Sequence, residues 1–393
     1  MIDPYPFSLF ANPRPGIPGV TVLTTAGFQR AKEAITAWSD YAATPLLDLP
    51  DLALQAGIGT LRLKDEASRF GLGSFKALGG AYAVGALLCG ELARTGTAPG
   101  ATIADLEAGA YRAATERVTV TCATDGNHGR AVAWGAQRFH ARCIIFVHAT
   151  VSQGRADAIA AYGAEIRRVP GNYDDAVREC ARQANADGWH VVSDTSWPGY
   201  TEVPRDIMQG YRLMVDEAAD QWEGPPPTHV FVQAGVGAAA AAVSIQCRAR
   251  FSPVPALIVV EPDHAACLLA SARQGALTAV DGNLDTIMAG LACGEPSLLG
   301  WQELERATTA FMAIPDTAAV ATLRMLASHG IVAGESGVAG LAGFLLAAAD
   351  PAARATLGLE ATSRVLTFCT EGATDPELYA KLVDGSSGSV GPP

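Results

Sequence analysis

No stretch of this sequence is rich enough in Lys or Arg to follow a phosphate backbone. Its 28 basic residues stand against 40 acidic ones, for a formal net charge of -12, and nucleic acid is not expected as a partner. Long apolar runs are missing too: the stretches after Lys76 and over 336–349 fall short of the about 20 residues a bilayer span requires, so no membrane partner is expected. Residues 1–14 are rich in proline, carry Asp3 and lack a basic start followed by an apolar core. They do not read as a secretory signal, and the expected location is the cytoplasm. The eight cysteines include no CxxC pair, and His140, His148, His190, His229, His264 and His329 lack metal-ligand spacing, so neither a metal site nor a redox dithiol is expected. The cysteines read as reduced core thiols, with Cys267 and Cys293, in the same half of the chain, as the one candidate bridge.

What the chain does hold is apolar residues, 49% over 393 positions, enough for two lobes at roughly 100 to 200 residues each. Runs rich in Val and Ile alternate with Ala-rich helical stretches: 118–123 before 129–139, 143–147 before 154–162, and 229–233 before 238–250, with further strand-like runs at 256–261 and 364–369. Continuous apolar strands followed by helices indicate an α/β protein with mainly parallel sheets covered by helices. Segments 96–101 and 224–228 read as loops, and 385–393 as a disordered tail. The expected division is a discontinuous large domain, 1–85 and 193–384, with a small domain of 86–192 inserted in it.

Four stretches carry chemistry. In KDEASRFGLGSFKALGG, Lys76 opens an Ala/Leu/Gly helix with almost no other charge nearby. Desolvation there lowers a lysine's pKa and makes its amine a usable nucleophile; seen alone, the same lysine also reads as one snorkelling from a helix start. In TCATDGNHG, a strand ends in the polar turn from Thr124 and Asp125 through Gly126 and Asn127 to His128 and Gly129. Helix N-terminal amides at such a turn bind carboxylate or phosphate, and Asp125 reads either as an acid beside that site or as a helix cap. In VFVQAGVGAA, the turn of Gly235, Val236, Gly237 and Ala238 opens a helix whose amides can cradle a phosphate. The full GxGxxG of a dinucleotide site is absent, because alanines follow Gly237. In LTFCTEGATD, Thr370 ends a strand and can offer a neutral hydrogen bond to a ring nitrogen. Glu261 and Glu295 are further candidates to line the cleft.

In this order, and together with VVSDTSWPGYTEVPRDIMQGY and TIMAGLACGEPS, these stretches resemble the tryptophan-synthase-β-like group of pyridoxal-phosphate (PLP) enzymes, fold type II. Within that group they look most like the diaminopropionate ammonia-lyases. The resemblance implies pyridoxal 5'-phosphate as cofactor, two lobes each with a mainly parallel sheet flanked by helices, and a homodimer. It implies Lys76 as the Schiff-base lysine, Phe75 packed beside the ring, Asn127 on the 3'-oxygen, Gly235, Val236, Gly237 and Ala238 around the phosphate, and Thr370 at the pyridine nitrogen. Thr124, Asp125, His128 and Asp194 fall to the substrate.

Related serine and threonine dehydratases have a serine at the position of Asp125. A carboxylate close to the substrate's own carboxylate needs a compensating cation, which the β-ammonium of 2,3-diaminopropionate supplies. The expected reaction is elimination from that amino acid to pyruvate and two ammonia, with Asp125 as base for the D- and Asp194 for the L-enantiomer. A serine or threonine dehydratase, or a β-replacement enzyme, is the alternative on the same fold. The chain departs from the group at Ala373, where an acidic residue is usual, and at Gly73 and Ser74 ahead of Phe75 and Lys76.

Overall fold

The computed structural model of the chain describes residues 2–124, 126–171 and 173–384. Asp125 and the tail expected over 385–393 lie outside the described residues. Among the described residues, eleven strands are formed: β1 Ser8–Ala11, β2 Leu46–Asp48, β3 Thr60–Asp65, β4 Thr119–Ala123, β5 Arg142–His148, β6 Glu165–Val169, β7 His190–Val191, β8 His229–Gln233, β9 Ala256–Pro262, β10 Ala310–Ile314 and β11 Arg364–Cys369. They form two sheets, one in each of two compact units.

The larger unit comprises 1–22, 43–69 and 212–392, and its sheet runs β1-β10-β9-β8-β11-β3-β2. The five inner strands pair in parallel, and only the edges β1 and β2 are antiparallel. β8 and β10 are buried at every position, as strands covered on both faces must be. The apolar stretch too short for a membrane is here the helix Ala339–Ala349, buried all round within the core. No helix among the described residues is long and apolar enough to cross a membrane.

Among the charges inside this unit, one group balances. Lys64, from β3, places Nζ 2.7 Å from Glu217 Oε2. Arg69 reaches Glu66 at 2.8 Å and Glu217 at 2.7 Å, and the Thr44 hydroxyl donates to Glu66 at 2.6 Å. All five residues are buried. Burial pushes the Glu66 carboxyl up, but Arg69 beside it more than offsets this and holds it below its ordinary value.

The smaller unit comprises 23–42 and 70–211, around the all-parallel sheet β6-β5-β4-β7. The stretch 86–192 read from the sequence contains all four strands; by contact, the unit also takes in the helix Lys76–Arg94. That helix packs closely on Asn127–Arg138, and a Cβ on Gly135 would lie 2.7 Å from Ala81 Cα, a separation only glycine permits. Just ahead of it, Phe70 adopts φ +51°, uncommon for a residue with a side chain. Its ring is stacked on Trp134 with centroids 5.1 Å apart, which anchors the loop leading to Lys76.

Removing one member of a buried, balanced charge group strands its partners. Arg69→Met is expected to cost about 3–5 kcal/mol of unfolding free energy, read from denaturant titration. Because the folded Glu66 pKa lies below its unfolded value of 4.5, its stabilisation is complete above that pH and is lost as pH falls through the folded value. Wild type is therefore expected to lose stability on acidification more steeply than Glu66→Gln; parallel pH profiles would contradict this.

Candidate active site

In the smaller unit, Lys76 opens its helix with no side-chain cap; the Ser74 hydroxyl accepts the Lys76 amide at 3.2 Å. Its Nζ lies 2.6 Å from Asp194 Oδ2, with the two side chains 19% and 15% exposed. The ammonium also sits 5.3 Å from the Phe75 ring centroid and 5.7 Å from that of Tyr211, the two rings being 4.7 Å apart. This is an amine on an aromatic floor with one carboxylate facing it.

Asp194 lies in the loop after β7, pinned by Tyr200: the phenol donates to Val191 O at 2.8 Å and accepts from Ser193 N at 3.0 Å. Burial pushes the Asp194 carboxyl up, but the Lys76 ammonium outweighs that and holds it well below the usual carboxylate range. Burial pushes the His128 imidazole below its ordinary value of 6.5, so near neutral pH the ring is uncharged. Its Nε2 faces Val192 O at 2.7 Å; a carbonyl only accepts, so the hydrogen is on Nε2. The bare Nδ1 is buried without a hydrogen-bond partner among the described residues.

At the end of β4, the Thr124 hydroxyl accepts the amides of Gly126 and Gly129, each at 3.0 Å, shaping the turn into Asn127–Arg138. Asn127, half-buried, is the first residue of that helix.

In the larger unit, β8 runs through Ala234 into Gly235, Val236 and Gly237, and Ala238–Arg250 follows with Gly237 left-handed at φ +94° and no side-chain cap. A Cβ on Gly235 would lie 3.0 Å from Cys293 Sγ and 3.2 Å from Leu291 Cα. The Val236 carbonyl is occupied by Ser297 N at 2.8 Å. The helix opens with uncapped amides, the positive end of its dipole and no acidic side chain in its first turn, which suits an anion. At the end of β11, Thr370 is buried and accepts from Gln233 Nε2 at 2.7 Å.

Two cleft candidates have other positions. Glu261 is fully buried, its carboxylate accepting the amides of Leu268 and Leu269 at 2.7 and 2.8 Å, where burial still pushes it up to about 8; it anchors a helix start. Glu295 is exposed. No disulfide joins any of the eight cysteines, Cys267 and Cys293 included, and Cys267 is turned to Gly235 O at 3.6 Å. Sequence reasoning missed Tyr211 and Gln233. Tyr211 lies within the quoted motif ending DIMQGY, and Gln233 was visible as one polar residue closing the apolar strand HVFVQ.

A partly buried lysine facing a carboxylate and an uncapped glycine turn opening a helix are the equipment of an α/β enzyme that captures an anionic cofactor through an amine. The family model for pyridoxal-phosphate dependent enzymes matches residues 38–370, and the chain belongs to that family. It is 41% identical to the diaminopropionate ammonia-lyase of Escherichia coli over 368 residues, 90% of each chain. The holo structure of that E. coli enzyme superposes with a TM-score of 0.90 at 37% identity, covering 98% of this chain and 99% of that one. Its complex with an aminoacrylate-PLP azomethine reaction intermediate superposes with a TM-score of 0.87 at 36% identity and 98% and 99% coverage.

PLP presents an aldehyde, a phosphate and a pyridine nitrogen, and the described residues fit each. Lys76 supplies an amine held in place, the helix start after Gly237 offers uncapped amides with no acidic side chain in its first turn, and the Thr370 hydroxyl is a small neutral partner.

Proposed function

We propose that the chain is a cytoplasmic, homodimeric ammonia-lyase that eliminates the β-amino group of 2,3-diaminopropionate, yielding pyruvate and two ammonia. The observation that carries this reading is the 2.6 Å contact between Lys76 and Asp194, in a chain sharing the ammonia-lyase motifs over nearly its whole length. PLP, when bound, supplies the electron sink that lets an α-carbon give up its proton and a β-substituent leave.

Lys76 holds the cofactor through its amine, on a floor made by the Phe75 and Tyr211 rings. The amides of Gly235, Val236, Gly237 and Ala238 bind its phosphate, Asn127 its 3'-oxygen, and Thr370 its ring nitrogen. Asp194 is the proton acceptor for the L-enantiomer. Its carboxyl is kept low by the Lys76 ammonium; wherever that charge is given up, the burial that remains raises its proton affinity. Asp125, outside the described residues, is assigned to the D-enantiomer. A β-ammonium satisfies the charge of these carboxylates in a way that a serine hydroxyl cannot, which favours the diamino acid. Thr124 fixes the turn that carries Asp125, and neutral His128 borders the substrate without adding positive charge near neutral pH.

Asp194→Asn is expected to slow pyruvate release from L-2,3-diaminopropionate by about a hundredfold or more while the D-enantiomer keeps close to its wild-type rate and the cofactor absorbance is retained. Equal losses on both enantiomers would remove Asp194 from its assigned face, and faster release from serine than from either enantiomer would overturn the ammonia-lyase reading. Gly237→Ala forces an L-residue into left-handed backbone at roughly 1–2 kcal/mol, so PLP retention in dialysis is expected to weaken about tenfold. Unchanged retention would remove this turn from the phosphate.

A further inference from the structure

We propose that Gln233 is a positioning residue that commits the Thr370 hydroxyl to donating its proton, so that the cofactor's ring nitrogen is held as an acceptor. This rests on the reading above that Thr370 meets that nitrogen. The last residue of β8 is an amide buried among strand ends. Its Nε2 lies 2.8 Å from Gly337 O, 3.2 Å from Phe368 O and 2.7 Å from Thr370 Oγ1. Two of these three neighbours are carbonyl oxygens, which can only accept, so the nitrogen and not the oxygen of the amide must face them. The amide nitrogen has two hydrogens and cannot accept; its two nearest neighbours are Thr370 Oγ1 and Gly337 O, with Phe368 O the longer third contact, so Thr370 Oγ1 receives an N–H.

The amide is fixed in that orientation at a cost. Its Oε1 is buried with no hydrogen-bond partner among the described residues, and the start of Ala339–Ala349 presses on it so closely that a Cβ on Gly340 would stand 2.8 Å from that oxygen. Rotation of the amide would turn its oxygen toward two carbonyls.

The consequence falls on Thr370. A hydroxyl has one proton and two lone pairs; one lone pair is taken by Gln233, and among the described residues no group accepts the proton. A proton left without an acceptor at a buried position is unfavourable, so it is the free valence offered to a ligand. The incoming Gln233 N–H also polarises the hydroxyl, making it a stronger donor and a weaker acceptor. A ring nitrogen meeting it is stabilised in its unprotonated form, and the pair Gln233–Thr370 thereby disfavours the protonated ring that transamination exploits.

The test uses full-length holoenzyme loaded with PLP labelled at its ring nitrogen, and reads that nucleus by NMR at one pH. Thr370→Val is expected to shift the resonance. Gln233→Met, which keeps the volume and removes the N–H, is expected to shift it in a wild-type background and to add nothing once Thr370→Val is present. Gln233→Asn, a methylene short of Thr370 but still an amide, is the second variant should the first not fold, with the same shift expected. If Thr370→Val shifts the resonance and neither Gln233 variant does, the positioning role is wrong while the placement of Thr370 stands. If Thr370→Val leaves the resonance where it was, the placement of Thr370 fails and the inference with it. A Gln233 shift of equal size with and without the Thr370 hydroxyl would mark a merely structural role and also overturn the inference.

Discussion

The chemistry proposed for this chain depends on one ion pair, Lys76 with Asp194, held at 2.6 Å where both side chains are mostly out of water. Each charge makes the other tolerable. The carboxylate would be driven toward its protonated form by burial alone, and the ammonium lies over two aromatic rings instead of in solvent. The pair is stable only while the lysine is charged, so any reaction of the amine changes the basicity of the carboxylate. The proposed nucleophile and proton acceptor are thus linked by electrostatics.

The contrast with the buried group of Lys64, Glu66, Arg69 and Glu217 is instructive. There two cations meet two anions, each bonded several times over, and the charges are fully enclosed. Closed and balanced, such a group serves architecture: it ties β3 to Glu217, in the part of the helix Glu202–Gln221 that belongs to the larger unit. At Lys76 the side chain keeps residual exposure, which leaves the amine within reach of a ligand. What separates Lys64 from the lysine proposed to react is enclosure, and the sequence contains only Lys32, Lys64, Lys76 and Lys381 to choose from.

Much of the fold was legible because fully covered parallel strands advertise themselves. β8, the helix Ala238–Arg250 and β11 have the limits expected from their apolar runs; β8 is buried at every position and β11 at all but Arg364. β3 escaped because Arg62 and Lys64 interrupt its run; Lys64 is tolerated at a buried position only through its partners from far along the chain, which local patterning cannot reveal. β6, with two arginines in five residues, is the edge strand of its sheet, where one side needs no partner. The same limit applied to site residues: Lys76 stood out by its apolar neighbourhood, whereas the engagement of Glu261 with Leu268 and Leu269, and of Gln233 with Thr370, arises from turns and neighbouring strands brought together by folding.

The coupling of Lys76 to Asp194 is tested most directly by titrating the Asp194 carboxyl itself. Infrared difference spectra of protein carrying isotope-labelled aspartate, with Asp194→Asn to assign the band, can be recorded for the cofactor-free protein and again with PLP bound. The expected result is a carboxyl ionised far below the usual carboxylate range while Lys76 is an ammonium, with its midpoint rising once the amine is engaged by the cofactor. The same midpoint in both forms would contradict the linkage between nucleophile and base.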